Sequence, residues 1–473
     1  MGEYAPVTSD TGGPRHTPDW REPLLAGASL LDVRLARRDP CHWPNYHPEP
    51  SIRAYRLQGA PGSPGPVAAL WDFAVQGGSF GEDDATIFAA AVRHAVSERV
   101  PLVSLVRSGG TRLQEGIAAL VGIPRARLAL MSLAEAGLPH VSVADSPTTG
   151  GVWVSIVAAA DVRVAVDGAT IGFAGPRVVE ALTGALPGPD SHTADSAYAA
   201  GLVDAVLARD DVPAWLAAVL RTLTSDAAPP ATDRPPDAAV AASGGWEQVL
   251  RTRQRTVSGR ELLGQLLTDQ VPLQARYGDR TVVAALGHLE GRPVVGVAVA
   301  AELGGRPTPD GYRLAARAYR LASRLGLPVV SLVDTPGADP GPASERDGIA
   351  TAMGEALDAL LTCASPTIAL VHGEGGSGGA LAAAATDVVL MTADSYFAAI
   401  GPEGATAALR RPAPECADRM RLTPADLLAL GFADAVVAPA DVAFHLAQLT
   451  TTSEQVRREL RLSRWSAPLP GSL

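Results

Sequence analysis

The sequence predicts an α/β protein in which one strand–turn–helix design is written twice. Three observations carry this. Apolar runs of strand length end in glycine turns and feed alanine-rich helices, as buried parallel strands should. Five such strings recur in one order, offset by 226 to 230 positions, the mark of an internal repeat. With 473 residues, 47% of them apolar and only 19% charged, the chain can bury two cores of ordinary domain size.

Taken in order, residues 1–60 show no clear period and are expected to be an irregular segment that wraps or caps the first domain. That domain, over 61–224, starts with a strand at 67–75, a helix at 83–98 and a strand at 102–106 that ends in Arg107-Ser108-Gly109-Gly110. A helix from Arg112 comes next, then the apolar run 140–144, whose turn Pro147-Thr148-Thr149-Gly150-Gly151 opens another helix. Residues 225–246 are rich in Pro, Ala and small polar residues that bury too little surface to order themselves, so they are expected to form a linker. The second domain, 247–473, repeats the plan: strands at 281–286 and 293–299, a helix at 311–325, and a strand at 329–333 ending in Asp334-Thr335-Pro336-Gly337. A helix at 347–362 and the run 367–371 lead into Gly375-Gly376-Ser377-Gly378-Gly379-Ala380, the expected answer to the Thr149-Gly150-Gly151 turn, with Thr149 opposite Ser377. The later matches are Ala159-Ala160-Asp161 with Ala385-Thr386-Asp387, Phe173-Ala174-Gly175-Pro176 with Ala399-Ile400-Gly401-Pro402, and Gly201-Leu202-Val203-Asp204 with Gly431-Phe432-Ala433-Asp434.

Charge and cysteine usage exclude several functions. A net charge of −11 with no basic run argues against a nucleic-acid footprint, which must neutralise phosphates. Cys41, Cys363 and Cys416 stand far apart, which excludes a disulfide scaffold, a four-cysteine zinc ribbon and a CxxC redox pair and suits a reducing cytoplasm. No charged leader with an apolar core opens the sequence, and no window holds 18 uninterrupted apolar residues, so neither export nor membrane spanning is expected.

The glycine turns are the candidate chemistry. A strand that ends in Gly-Gly and feeds a helix exposes unpaired N–H groups at the positive end of the helix dipole. Two such turns at neighbouring strand ends could aim two donors at one oxygen and stabilise an enolate. Other constellations are missing: nine histidines are scattered without HExxH spacing, and no Walker-type or dinucleotide-binding glycine loop occurs. Ser377 sits in a Gly-rich turn after a strand, yet its only downstream histidine is His445, so a nucleophile elbow has no partners.

The strings Ser108-Gly109-Gly110-Thr111-Arg112-Leu113-Gln114-Glu115-Gly116, Trp71-Asp72-Phe73 with Gly77-Gly78-Ser79, and Ile171-Gly172-Phe173-Ala174-Gly175-Pro176-Arg177 resemble the β-subunit of bacterial acetyl-CoA carboxylase carboxyltransferase. Gly278-Asp279-Arg280, Gly311-Tyr312-Arg313, Asp334-Thr335-Pro336-Gly337-Ala338, Gly373-Glu374-Gly375-Gly376-Ser377-Gly378-Gly379-Ala380-Leu381 and Pro402-Glu403-Gly404 are similar to its α-subunit. The resemblance covers roughly residues 60–445. It implies two tandem crotonase-like domains, in a homodimer or larger assembly whose active sites lie between the first domain of one protomer and the second domain of another. The implied reaction moves a carboxyl group from carboxybiotin to the α-carbon of a short acyl-CoA through an enolate. Gly150-Gly151 would then hold the biotin ureido oxygen and Gly379-Ala380 the thioester enolate oxygen. Gly109-Gly110 and Gly337-Ala338 would shape the partner turns, with Gly175 and Gly378 beside them and Arg112 and Arg177 as contacts to CoA.

Departures from the family are informative. The β-subunit's four-cysteine ribbon has no counterpart, because only Cys41, near His42 and His47, lies upstream; no metal site is expected. The basic stretch before Gly311-Tyr312-Arg313 is reduced to Gly304-Gly305-Arg306-Pro307-Thr308-Pro309-Asp310. The sequence contains no lysine, so no covalent cofactor is expected, and carboxybiotin would come on a separate biotin carboxyl carrier protein loaded by a biotin carboxylase. Two rivals remain open at this point: a malonyl- or acyl-thioester decarboxylase of the same fold, and a non-catalytic scaffold subunit.

Overall fold

The computed structural model describes residues 20–59, 64–225 and 243–469, so most of the expected linker, 226–242, lies outside the described residues. The first sheet comprises β1 (Ser29–Leu30), β2 (Ile52–Arg56), β3 (Val67–Trp71), β4 (Leu102–Ser108), β5 (His140–Thr149), β6 (Val162–Val166), β7 (Ile171–Gly172) and β8 (Ala205–Leu207). The second comprises β9 (Thr268–Leu273), β10 (Val282–Leu289), β11 (Arg292–Val299), β12 (Val329–Thr335), β13 (Thr367–Gly376), β14 (Val388–Met391), β15 (Tyr396–Ala398) and β16 (Ala435–Val436). Their orders, β1-β2-β3-β4-β5-β6-β8 with β7 on β5 and β9-β10-β11-β12-β13-β14-β16 with β15 on β13, agree strand for strand. In each, two antiparallel pairings are followed by a parallel run. The register repeats too: Leu102 faces His140 as Val329 faces Thr367, and both ladders slip just before Ser108 and Thr335.

Two expectations need correction. Residues 1–60 are not wholly irregular: they supply β1 and β2 to the first sheet, and strands this short offer too few alternations to show a period. The helix expected from Arg112 starts at Ile117 and runs to Glu135. Gly116, at φ 55°, breaks the chain there, and Arg112 turns into the interior.

One cluster of buried apolar side chains, from Ile52 to Val436, runs through both halves. At their junction the Asp204 carboxylate receives both terminal nitrogens of Arg317, at 2.6 and 2.9 Å, and the backbone N–H of Arg163 and Gln274. Burial, the largest single effect, pushes this carboxyl up, but the charges and hydrogen bonds of Arg317 and Arg163 together hold Asp204 below the usual carboxylate range. Alongside, Arg324 pairs with Asp161 and donates to the Leu138 carbonyl. Both arginines belong to the helix Pro309–Leu325 of the second half.

The second half has the same acidic notch and fills it differently. Asp387 and Asp434 occupy the places of Asp161 and Asp204, and they receive Arg461, at 2.7 and 2.8 Å, and Arg464, at 2.8 Å, from the helix Glu454–Ser466. The agreement extends to the backbone: Arg461 donates to the Ser365 carbonyl as Arg324 donates to Leu138, and Arg464 to Asp387 as Arg317 to Asp161.

Candidate active site

The carboxyl ends of the parallel strands, where ligands of open α/β sheets bind, carry the glycine turns. In the second half the turns after β12 and β13 touch backbone to backbone. A Cβ on Gly376 would fall 2.2 Å from the Pro336 carbonyl, and one on Gly379 would fall 2.5 Å from the Ala338 nitrogen. No side chain larger than hydrogen fits either place without parting the two strands' ends. Between these turns opens a cavity of about 1030 Å³. Gly337, Ala338, Ser377, Gly378 and Gly379 line it, and Gly401 and Glu403 close one side.

Backbone donors at this cavity divide into two classes. Gly337 N–H is spent on Thr335 Oγ1 at 3.1 Å, as Gly110 N–H is on Ser108 Oγ at 3.1 Å in the first half. Gly109 N–H goes to the Gly77 carbonyl. These three groups shape turns and are not free for a ligand. Gly378 and Gly379 stand in the first turn of the helix Ser377–Ala384, where N–H groups have no intrahelical acceptor, whereas the Ala380 N–H is the first to be taken up inside the helix, by the carbonyl of the cap residue Gly376, which corrects the expectation that Ala380 holds a ligand oxygen. Ala380 itself is fully buried and does not line the cavity.

The first half repeats the geometry with a smaller donor set. Gly110 and Gly150 approach so closely that a Cβ on Gly150 would sit 3.0 Å from the Gly110 Cα. Gly150 N–H is bound to the Phe173 carbonyl at 2.9 Å, leaving the Gly151 N–H, one residue on, for an anion. Gly175 caps the helix Pro176–Thr183 beside Thr149. Arg177, on the exposed face of that helix, forms no ion pair among the described residues, so its charge is available.

Arg112 departs from the expectation of a CoA contact. It is 1% exposed, paired with Asp84 at 2.8 Å and Glu115 at 3.3 Å, and it donates to the carbonyls of Glu49 and Ser79. Every direction of its guanidinium is used inside the fold, where it ties the segment before β2 to the helix Glu82–Glu98. The register also corrects the repeat at the turns. Ser108 pairs with Thr148 and Thr335 with Gly375, so Thr149 corresponds to Gly376, and the counterpart of Ser377 is Gly150.

A charged set beside the cavity was not anticipated. Glu374, nearly buried, accepts from Arg253 at 3.2 Å and from the Tyr396 hydroxyl at 2.7 Å. Arg253 grips Glu403 with two nitrogens at 2.7 and 3.0 Å, and this hydrogen bonding holds the Glu403 carboxyl below the usual range. Arg306, which donates to the Ala338 carbonyl at 3.4 Å, puts a cation at the rim. The signal was a lone acid inside the glycine run Gly373-Glu374-Gly375.

Chemically, the cavity offers converging backbone donors and a rim cation. Among the described residues no histidine or carboxylate hydrogen-bonds to Ser377, so the arrangement suits stabilising an oxyanion rather than activating a serine.

Comparison with known proteins identifies the family. A family described as acetyl co-enzyme A carboxylase carboxyltransferase-like matches residues 246–464. The chain is 40% identical over 408 residues to acetyl-coenzyme A carboxylase carboxyl transferase subunits beta/alpha of Salinispora arenicola, covering 80% of this chain and 72% of that protein. It is 35% identical over 381 residues to a chain of Mycobacterium tuberculosis named as a biotin-dependent acyl-coenzyme A carboxylase beta3 subunit, covering 78% and 76%. Among solved structures, the transcarboxylase 12S hexamer with hydrolysed methylmalonyl-coenzyme A bound superposes with a TM-score of 0.72 at 25% identity, over 85% of this chain and 81% of that one. A single-chain, multi-domain long-chain acyl-CoA carboxylase shares the fold with a TM-score of 0.66 at 21% identity, over 84% of this chain and 41% of that one.

Proposed function

The chain belongs to the carboxyl transferase family of acetyl- and acyl-coenzyme A carboxylases, and from that premise we propose that its second-half cavity holds a short acyl-CoA while carboxyl transfer occurs at the α-carbon. The fold is two tandem crotonase-like α/β domains, and the activity is that of a biotin-dependent carboxyltransferase. One observation carries the assignment of the site: the Gly337-Ala338 and Gly378-Gly379 backbones meet at a cavity with helix-start N–H groups facing it.

The carboxyl group arrives on a biotin ureido nitrogen that another chain carries, and that ring supplies both the carbon dioxide and the proton acceptor. This chain's residues do the rest by position. The Gly379 N–H takes the thioester oxygen as negative charge develops on it, an interaction stronger in the transition state than in the ground state. Gly151 N–H does the same for the ureido oxygen. Arg306 and Arg177 stand where anionic parts of CoA would be held.

The two donor sets lie on different halves, so we assign the working unit to a homodimer or larger assembly in which the first half of one copy meets the second half of another. An exposed apolar stripe supports this. Ile117, Leu120, Val121, Leu128 and Met131 recur at helical spacing on the helix Ile117–Glu135, against which Gly151 packs through Ile123. The helix is long and apolar enough to cross a membrane, but Arg125 and Arg127 at its middle would be costly in a bilayer, so the stripe is assigned to a protein contact. The remaining partners are a biotin carboxyl carrier protein and a biotin carboxylase, in the cytoplasm.

The test is an assay of the purified chain with carboxybiotin and a panel of acyl thioesters, scored for carboxylation and for decarboxylation. Carboxylation of acetyl-CoA to malonyl-CoA, or of another short acyl-CoA, is expected. Decarboxylation without any biotin-dependent transfer would assign the same cavity to a thioester decarboxylase, and no turnover of either kind would overturn the reading.

A further inference from the structure

At Ser377 the second half places a hydroxyl where the first half has glycine. The ladder register sets it opposite Gly150, and both open their helices with left-handed backbone, φ 61° at Ser377 and φ 69° at Gly150. Glycine adopts that conformation freely; an L-residue is strained in it. A serine at this point therefore costs the fold something that the first half avoids, and such strain is retained where the side chain has a use.

The surroundings point to that use. Ser377 lines the cavity directly before Gly378 and Gly379, and its hydroxyl makes no hydrogen bond to any described residue. A neighbouring hydroxyl in the same sheet, Thr335 Oγ1, is fully engaged, with the Gly305 and Gly337 carbonyls at 2.9 Å. No base touches Ser377, so the hydroxyl keeps its proton and is available only as a donor or acceptor of hydrogen bonds.

We propose that Ser377 is a catalytic residue of the second half: its hydroxyl donates a hydrogen bond to the acyl oxygen held by the Gly379 N–H, a side-chain donor that the first half lacks. The inference rests on the proposed function of this cavity. A donor to a charged oxygen strengthens as the charge develops, so its loss appears in kcat more than in KM.

The experiment compares Ser377→Gly and Ser377→Ala with wild type in carboxyl transfer to acetyl- and propionyl-CoA, with rates normalised to folded protein, alongside thermal melting. Ser377→Gly is expected to melt at or above the wild-type temperature, because glycine relieves the left-handed strain, while kcat falls about 10- to 100-fold and KM stays within about twofold. Ser377→Ala is expected to lose the same kcat without the gain in melting temperature. A Ser377→Gly protein with wild-type kcat overturns the inference, including when Ser377→Ala alone is slow, since the hydroxyl is then not the cause. Wild-type protein that transfers no carboxyl group to any thioester overturns instead the function on which the inference rests.

Discussion

Gly379→Ala tests the site through one methyl group. That methyl would lie 2.5 Å from the Ala338 nitrogen, 2.7 Å from the Tyr312 hydroxyl and 3.1 Å from the Gly337 carbonyl carbon. Two of the three are backbone and the third is a fully buried tyrosine, so none can swing aside. Ordinary contact needs about 3.5–4.0 Å, and restoring it parts the Gly337-Ala338 turn from the helix start by roughly 1 Å. The helix start carries the Gly379 donor that must meet the acyl oxygen, and the turn packed against it fixes where that donor lies. A misplacement of that size costs about 10²-fold in rate, or about 2.7 kcal/mol of transition-state stabilisation, while the overpacking costs about 1–3 kcal/mol of stability. Gly378→Ala is the control, because its methyl meets only Met353 Cε, at 3.5 Å; it should stay within about threefold of wild type. The assay is carboxyl transfer from carboxybiotin to acetyl-CoA per folded molecule, with folded fraction taken from thermal unfolding. A Gly379→Ala protein with undiminished kcat, or a Gly378→Ala protein equally impaired, would refute the reasoning.

Further predictions concern stability and assembly. Burial holds His140 and His372 neutral, with pKa values pushed down to about 3 and about 4; since the unfolded chain binds those protons below about pH 6.5, stability should fall as pH drops from there toward 4, by up to about 1.4 kcal/mol per pH unit for each histidine. Equal urea midpoints at pH 7.5 and 5 would contradict this. Asp204→Asn should weaken the junction of the halves by about 3–5 kcal/mol, because it leaves Arg317 without its anion, and calorimetry should then resolve two transitions; the more exposed Asp434→Asn should cost far less. Leu128→Glu, on the exposed stripe, should shift the protein toward monomer in light scattering and lower carboxyl transfer in parallel; an active monomer would remove the stripe from the assembly.

The repeat and the glycine turns could be read from the sequence because both are local: a glycine required by a close approach, such as Gly376 or Gly379, must stand at its own position whatever lies elsewhere. The one-residue error at Ser377 came from aligning Gly-Gly with Gly-Gly, whereas the true equivalence is set by ladder hydrogen bonds that no string displays. Arg112 was misjudged for a similar reason, since its partner Asp84 lies 28 positions earlier and only the fold brings the two together. Asp161 and Asp204 stood in the matched strings with Asp387 and Asp434, yet their arginines come from helices that are not counterparts, and so the pattern of the notch stayed hidden.

That notch bears on what a repeated unit can accept behind it. Each half presents two aspartates to whatever packs behind it; the first receives the next unit of the series, and the second receives Arg461 and Arg464 of a plain helix. The helix thus answers the same acidic pair without being a repeat. A unit docking on Asp387 and Asp434 as the second half docks on Asp161 and Asp204 would first have to displace that helix.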